Sequence, residues 1–314
     1  MGSLATPPQV VEDCFGVLKL YSDGSIVRSP NVDYQFLIND DGSVEWKDRL
    51  FDKNHDLYLR LFKPTTTINP SSSSSCSPNK KLPIVFYIHA GGFCLGSRSF
   101  ANFHNTCLSL ASGLGAIVVS PDHRLAPEHR LPAAIDDVYG ALTWVRDQAV
   151  CESPDEWMCG DEVEFDKVFI LGDSSGGNVA HHLAVRIGAG SEELKPLRVR
   201  DHPLSNPFGP SNSLSLKDTA LDPILVVVGG GEILRDRVED YARRLKEFGK
   251  KINYVEFEGK EHGFFTTKSS TEEAKGVMQI FIDFMSKNSS LHNTIENSKL
   301  VFNNLRVTQL SSSM

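Results

Sequence analysis

The stretch Val168-Phe169-Ile170-Leu171-Gly172-Asp173-Ser174-Ser175-Gly176-Gly177 decides the fold of this chain. An apolar run ends in a serine set among glycines, and a helical pattern begins at Gly176. An unbroken apolar run predicts a strand buried on both faces, as in a parallel sheet. A tight turn from such a strand into a helix needs small residues around its apex, and it lifts the apex side chain to the C-terminal edge of the sheet. At that apex Ser174 is placed as a nucleophile. The backbone N–H of Ser175 and the helix N-terminus then face any negative charge developing beside it. A chance Gly-x-Ser-x-Gly in a loop would lack the strand before it and the helix after it.

Outward from this stretch, Pro83–His89, Ala116–Ser120 and Ile224–Gly229 are further apolar runs, while Leu57–Phe62 alternates and Ile252–Phe257 reads as a strand. Helical periodicity fills Pro132–Gln148, Gly176–Ile187, Arg235–Phe248 and Thr271–Met285. Strand and helix in alternation predict the α/β class, with a mostly parallel, doubly wound sheet in a single domain over residues 1–287. Residues 1–50 read as irregular, with turn pairs at Asp23-Gly24 and Asp41-Gly42. Residues 69–81 are a Ser/Pro-rich loop, and the polar, Asn/Ser-rich residues 288–314 are expected to be a disordered tail.

Of the 314 residues 40% are hydrophobic and 23% charged, an ordinary globular balance. A net charge of −8 argues against nucleic acid or an anionic membrane as partner. No run of 18 apolar residues could span a bilayer. The six cysteines lack C-x-x-C spacing and read as reduced thiols, not as disulfides or a zinc site. The first ten residues carry no apolar secretory core, so the expected location is the cytoplasm, with the nucleus open. Gly2 with Thr6 fits the myristoylation pattern, although a small-residue start is the plainer reading and one acyl chain would anchor weakly. No metal or organic cofactor is expected.

Two further motifs carry chemistry. His89-Ala90-Gly91-Gly92-Phe93 follows an apolar strand directly, and glycines there let backbone N–H groups approach a substrate closely. Gly91, Gly92 and Ser175 are therefore candidate oxyanion donors. Glu261-His262-Gly263 follows the Ile252–Phe257 strand, where an imidazole can reach the nucleophile and shuttle its proton. His181 and His182 sit on the helix after the nucleophile and face away. The acid that orients the imidazole belongs in the loop after Ile224–Val228, where Glu232 stands nearest the strand end. Asp236 lies a turn further, and Asp222 precedes the strand at its wrong end.

These residues resemble a family. HAGGF (89–93), DHRLAPEHRLPAA (122–134) and GDSSGGN (172–178) are similar to the plant carboxylesterases of the hormone-sensitive-lipase branch of the α/β-hydrolases. VVEDCFGVLKLYSDGSIVRS, DHPLSNPFGP, GGGEILRDR and EGKEHGFF resemble the clade that holds the strigolactone-cleaving carboxylesterase. The resemblance runs from about Gln9 to Met285. It implies an α/β-hydrolase fold with residues 1–45 as a cap, and an acyl-enzyme route through Ser174, His262 and Glu232 on a small ester or lactone, strigolactone among them. Gibberellin receptors share the branch but lack the histidine kept here as His262, and dehydratases of the branch often change the nucleophile kept here as Ser174. A catalytically impaired isoform or ligand-binding protein is the alternative.

Three departures bear on that expectation. Ala90 stands where the family has glycine, and His123 where it has tyrosine. Most importantly, Arg200 runs straight into Asp201, so that Ser174 and Glu232 stand only 58 positions apart. Family members carry a further strand and cap helices there. The sheet is expected to lose a member or to keep a gap, with Glu232 displaced by about one strand spacing of ~4.8 Å unless the sheet closes up.

Overall fold

The computed structural model describes residues 7–14, 16–29, 37–65, 81–188, 208, 213–267 and 271–289. Gly2, most of the Ser/Pro-rich loop and the Arg200–Asp201 junction lie outside these residues.

The chain opens with a small antiparallel meander of β1 (Val10–Cys14), β2 (Leu18–Tyr21) and β3 (Ile26–Arg28). Next come β4 (Val44–Asp52), β5 (Leu57–Pro64), β6 (Leu82–Ile88), α1 (Ala101–Leu114), β7 (Ile117–Pro121) and α2 (Ala133–Gln148). Then follow β8 (Val163–Gly172), α3 (Ser175–Gly188), α4 (Ser213–Asp218), β9 (Ile224–Gly229), α5 (Arg235–Glu247), β10 (Ile252–Phe257), α6 (Phe264–Thr267) and α7 (Glu272–Ser289). The main sheet has the order β4-β5-β7-β6-β8, antiparallel on its β4-β5-β7 side and parallel from β7 through β6 to β8.

Period-two alternation divides the core. On one face Ile84, Phe86 and Ile88 of β6 meet Ile135, Val138 and Ala141 of α2 and Val179 and Leu183 of α3. On the other face Val85 and Tyr87 meet Phe103, Cys107 and Leu110 of α1, with Met278 and Phe281 of α7 packed outside them.

Several expectations need correction. Residues 1–50 are not irregular, because β1 to β4 occupy much of them. Their strands escaped notice because they are wet: β1 is exposed over Val10–Asp13, and β4 mixes Glu45, Lys47, Asp48 and Arg49 among its apolar residues. Helix α1 carries Phe103, Cys107, Leu110 and Ala111 at helical spacing, but buried polar side chains beside them blur that stripe in the sequence. His104 meets the Arg60 guanidinium at 3.1 Å, Thr106 bonds back to the Asn102 carbonyl, and Asn105 donates to the Leu37 carbonyl. Strand β8 begins at Val163, before the apolar run, and its polar first half pairs with Leu82 and Pro83 across an irregularity. Helix α7 extends to Ser289, so residues 288 and 289 are not tail.

Of the two outcomes expected for the sheet, a lost member or a gap, the described strands have the gap. Among the described residues β9 pairs with β10 alone, in parallel, and β8 with β6 alone. No described strand joins β8 to β9, so the described sheet keeps a gap there. The β9-β10 pair has its own small core of Ala242, Leu245 and Ile252, lined by Ile224, Val226 and Tyr241. Helices tie the halves together. The α6 and α7 helices pack on α1, and the Tyr241 hydroxyl of α5 meets His181 Nδ1 of α3 at 3.0 Å.

Candidate active site

Ser174 stands two residues past the end of β8 and has φ 52°, a left-handed conformation that a non-glycine residue adopts only under strong local constraint. The constraint is close packing. A Cβ on Gly176 would lie 2.2 Å from the Ile88 carbonyl oxygen, so only glycine lets α3 start against the end of β6.

His262 comes from the turn between β10 and α6. Its Nε2 lies 2.9 Å from Ser174 Oγ, and its Nδ1 lies 3.0 Å from Glu232 Oε2. A carboxylate only accepts, so the Nδ1 facing it carries the proton and Nε2 is left to accept from the serine hydroxyl. The expected displacement of Glu232 does not occur. The reason is that Glu232 and His262 belong to one unit: Gly230 N–H donates to the Phe257 carbonyl at 2.8 Å and Gly231 N–H to the Lys260 carbonyl at 2.9 Å. The acid and the imidazole thus move together, whatever separates β8 from β9. The Glu232 side chain is 8% exposed and His262 40%, so the acid is sheltered while the imidazole faces solvent.

Asp236 is exposed and pairs with Arg235, and Asp222 lies before β9 at the far end from His262. His181 is buried against Tyr241, and burial lowers its pKa from 6.5 to about 3. Among the described residues Cys14, Cys94, Cys107, Cys151 and Cys159 are free.

The Gly91–Gly96 loop stands at the end of β6, beside the Ser174 turn. A Cβ on Gly91 (φ 127°) would lie 2.0 Å from the Leu95 carbonyl oxygen, which fixes glycine there. The Gly91 carbonyl accepts from the N–H groups of Cys94 at 3.0 Å and Leu95 at 2.9 Å. Ala90 is not among the residues of positive φ, so alanine is accommodated where the family has glycine. Behind the loop His89 and His123 stack with centroids 4.5 Å apart. Burial, aided by the neighbouring His123, lowers the His89 pKa to about 3.

One residue at this site gave no sequence signal as a functional group. Asp173 is buried beside the nucleophile, and burial raises its pKa although Thr266 of α6 bonds to it. It ties the Ser174 turn to the element following His262. Only its adjacency to Ser174 could have marked it.

The sequence matches the family model described as alpha/beta hydrolase fold, over residues 85–197 and 192–266. This chain belongs to that family. The two matched pieces meet at residues 192–197, near the Arg200–Asp201 junction. Among curated relatives it is 43% identical to carboxylesterase 20 of Arabidopsis thaliana over 162 residues, 52% of this chain and 46% of that one. It is 36% identical to probable carboxylesterase 8 of the same plant, over 70% of this chain and 64% of that protein. The chain thus spans only about half to two thirds of these relatives. A 2-hydroxyisoflavanone dehydratase of Glycyrrhiza echinata is 29% identical over 334 aligned positions. That exceeds the 314 residues present, so the alignment opens gaps in this chain. Among solved structures, a hyperthermophilic esterase from the archaeon Pyrobaculum calidifontis aligns over 79% of this chain and 83% of its own, with TM-score 0.58 and 26% identity. No described helix is long and apolar enough to cross a membrane.

Proposed function

We propose that this chain hydrolyses carboxylic esters through an acyl-enzyme on Ser174. The observation that carries this reading is the hydrogen-bonded series from Ser174 Oγ through His262 to Glu232, at 2.9 and 3.0 Å. His262 Nε2 takes the serine proton as Oγ attacks the carbonyl carbon, and returns it to the leaving alcohol. Glu232 holds the imidazole with Nδ1 protonated and stabilises the imidazolium that forms. The N–H groups of Gly91, Gly92 and Ser175 receive the oxyanion, each such donor contributing on the order of 10²–10³ in rate. Water then repeats the sequence on the acyl-enzyme. The esterase names of the relatives support the reaction class. The resemblance of the N-terminal stretch to the strigolactone-cleaving clade makes a lactone such as strigolactone the natural substrate to try after simple esters.

We also propose that the chain lacks an internal strand-and-cap segment at the Arg200–Asp201 junction. Edges of β8 and β9 that have no partner among the described residues support this, as do the divided family match and the gapped alignment. The same gap favours one second reading, a chain that binds ligand without turnover. The deciding experiment is p-nitrophenyl acetate hydrolysis by the purified chain beside Ser174→Ala, with circular dichroism as folding check. Turnover that depends on Ser174 is expected, and a folded chain without turnover would transfer the case to ligand binding.

A further inference from the structure

The Arg28 guanidinium, at the last position of β3, makes four short contacts outside its own meander. Nη1 donates to the Cys94 carbonyl at 2.6 Å and Nη2 to the Ala126 carbonyl at 2.7 Å. Nε and Nη2 grip Glu128 at 2.7 and 2.6 Å. Both carbonyls belong to the framework of the glycine loop. Ala126 N–H donates to the Phe93 carbonyl at 2.8 Å, while Cys94 N–H returns to the Gly91 carbonyl at 3.0 Å. Phe93 sits at φ 66° without being glycine, so the loop holds a conformation that its surroundings must impose.

We propose that Arg28 is a positioning residue for the oxyanion donors: it pins the outer side of the Gly91–Gly96 loop and so fixes where the Gly91 and Gly92 N–H groups point. The inference rests on the ester-hydrolase reading above and assigns that site a further determinant from the N-terminal meander. The fork geometry matters. One planar group bridges two carbonyls and a carboxylate at once, which an ammonium cannot do with the same rigidity. Seating the meander and shaping the loop therefore become a single event.

The test measures kcat and KM for p-nitrophenyl acetate, and inhibition by a trifluoromethyl ketone that mimics the tetrahedral intermediate, in Arg28→Met, Arg28→Lys and Arg28→Ala. Oxyanion donors act mainly in the transition state, so kcat is expected to fall about tenfold to a hundredfold while KM stays within about twofold. Ketone inhibition should weaken by a similar factor, and guanidinium chloride at non-denaturing concentration should restore part of the Arg28→Ala rate. Arg28→Lys should lie between wild type and Arg28→Met. Wild-type kcat in a folded Arg28→Met, a loss confined to KM, or no response to guanidinium would overturn the proposal. If Arg28→Met does not fold, Arg28→Lys decides, since full activity there removes the need for the fork. A wild type without Ser174-dependent turnover would overturn the hydrolase reading itself and this inference with it.

Discussion

Glu232 approaches His262 from a sheltered position, and that asymmetry predicts how its loss should read out. Glu232→Gln keeps size and shape but presents an amide that can favour the wrong tautomer. The expected result is a fall in kcat of about 10²- to 10⁴-fold with KM little changed. An unchanged kcat would move the acid's role elsewhere. Two other histidines set a pH dependence of stability. His89 and His181 are buried neutral, with pKa values lowered from 6.5 to about 3. The unfolded chain takes up their protons first as pH falls. Their contribution is therefore complete above about pH 6.5 and shrinks toward pH 3, by about 1.4 kcal/mol per pH unit for each group. Urea midpoints should fall steadily between about pH 6.5 and pH 4.5, and a flat profile would mean that neither ring stays neutral in the fold.

At the scale of elements, the helices bridge what the sheet does not. Tyr241→Phe removes the hydroxyl facing His181 Nδ1 and leaves a buried polar atom unpaired. A loss of about 1–3 kcal/mol is expected in thermal or urea melts. The outer edge of β8 has no described partner, so its outward amides should exchange with deuterium faster than those bonded to β6. Equal protection would show that a strand covers that edge. What the sequence revealed follows the same physics. The β6 and β7 runs were legible because burial on both faces leaves continuous apolar residues, and β9 keeps such a run although only Val228 and Gly229 are fully buried. Ser174, His262 and Glu232 were legible because glycine turns at strand ends mark them. Helix α1 hid behind His104, Asn105 and Thr106, polar residues buried by partners that only the folded chain supplies. Arg28 hid because its partners are backbone carbonyls distant in sequence.

Across the whole molecule, Ser174 follows a strand of the β4–β8 sheet, while its base and acid follow the β9-β10 pair. The β9-β10 unit, with its small separate core, should loosen before the β4–β8 sheet. Esterase activity is therefore expected to vanish at a lower urea concentration than the bulk of the far-UV circular dichroism signal. Coincident transitions would show the two bodies to be one cooperative unit. The measurement nearest the central claim is reaction of the native chain with a fluorophosphonate, followed by peptide mass mapping. The adduct should lie on Ser174, be absent from Ser174→Ala, and form much more slowly in His262→Ala. A folded chain that stays unlabelled, or carries the adduct on another residue, would contradict the account.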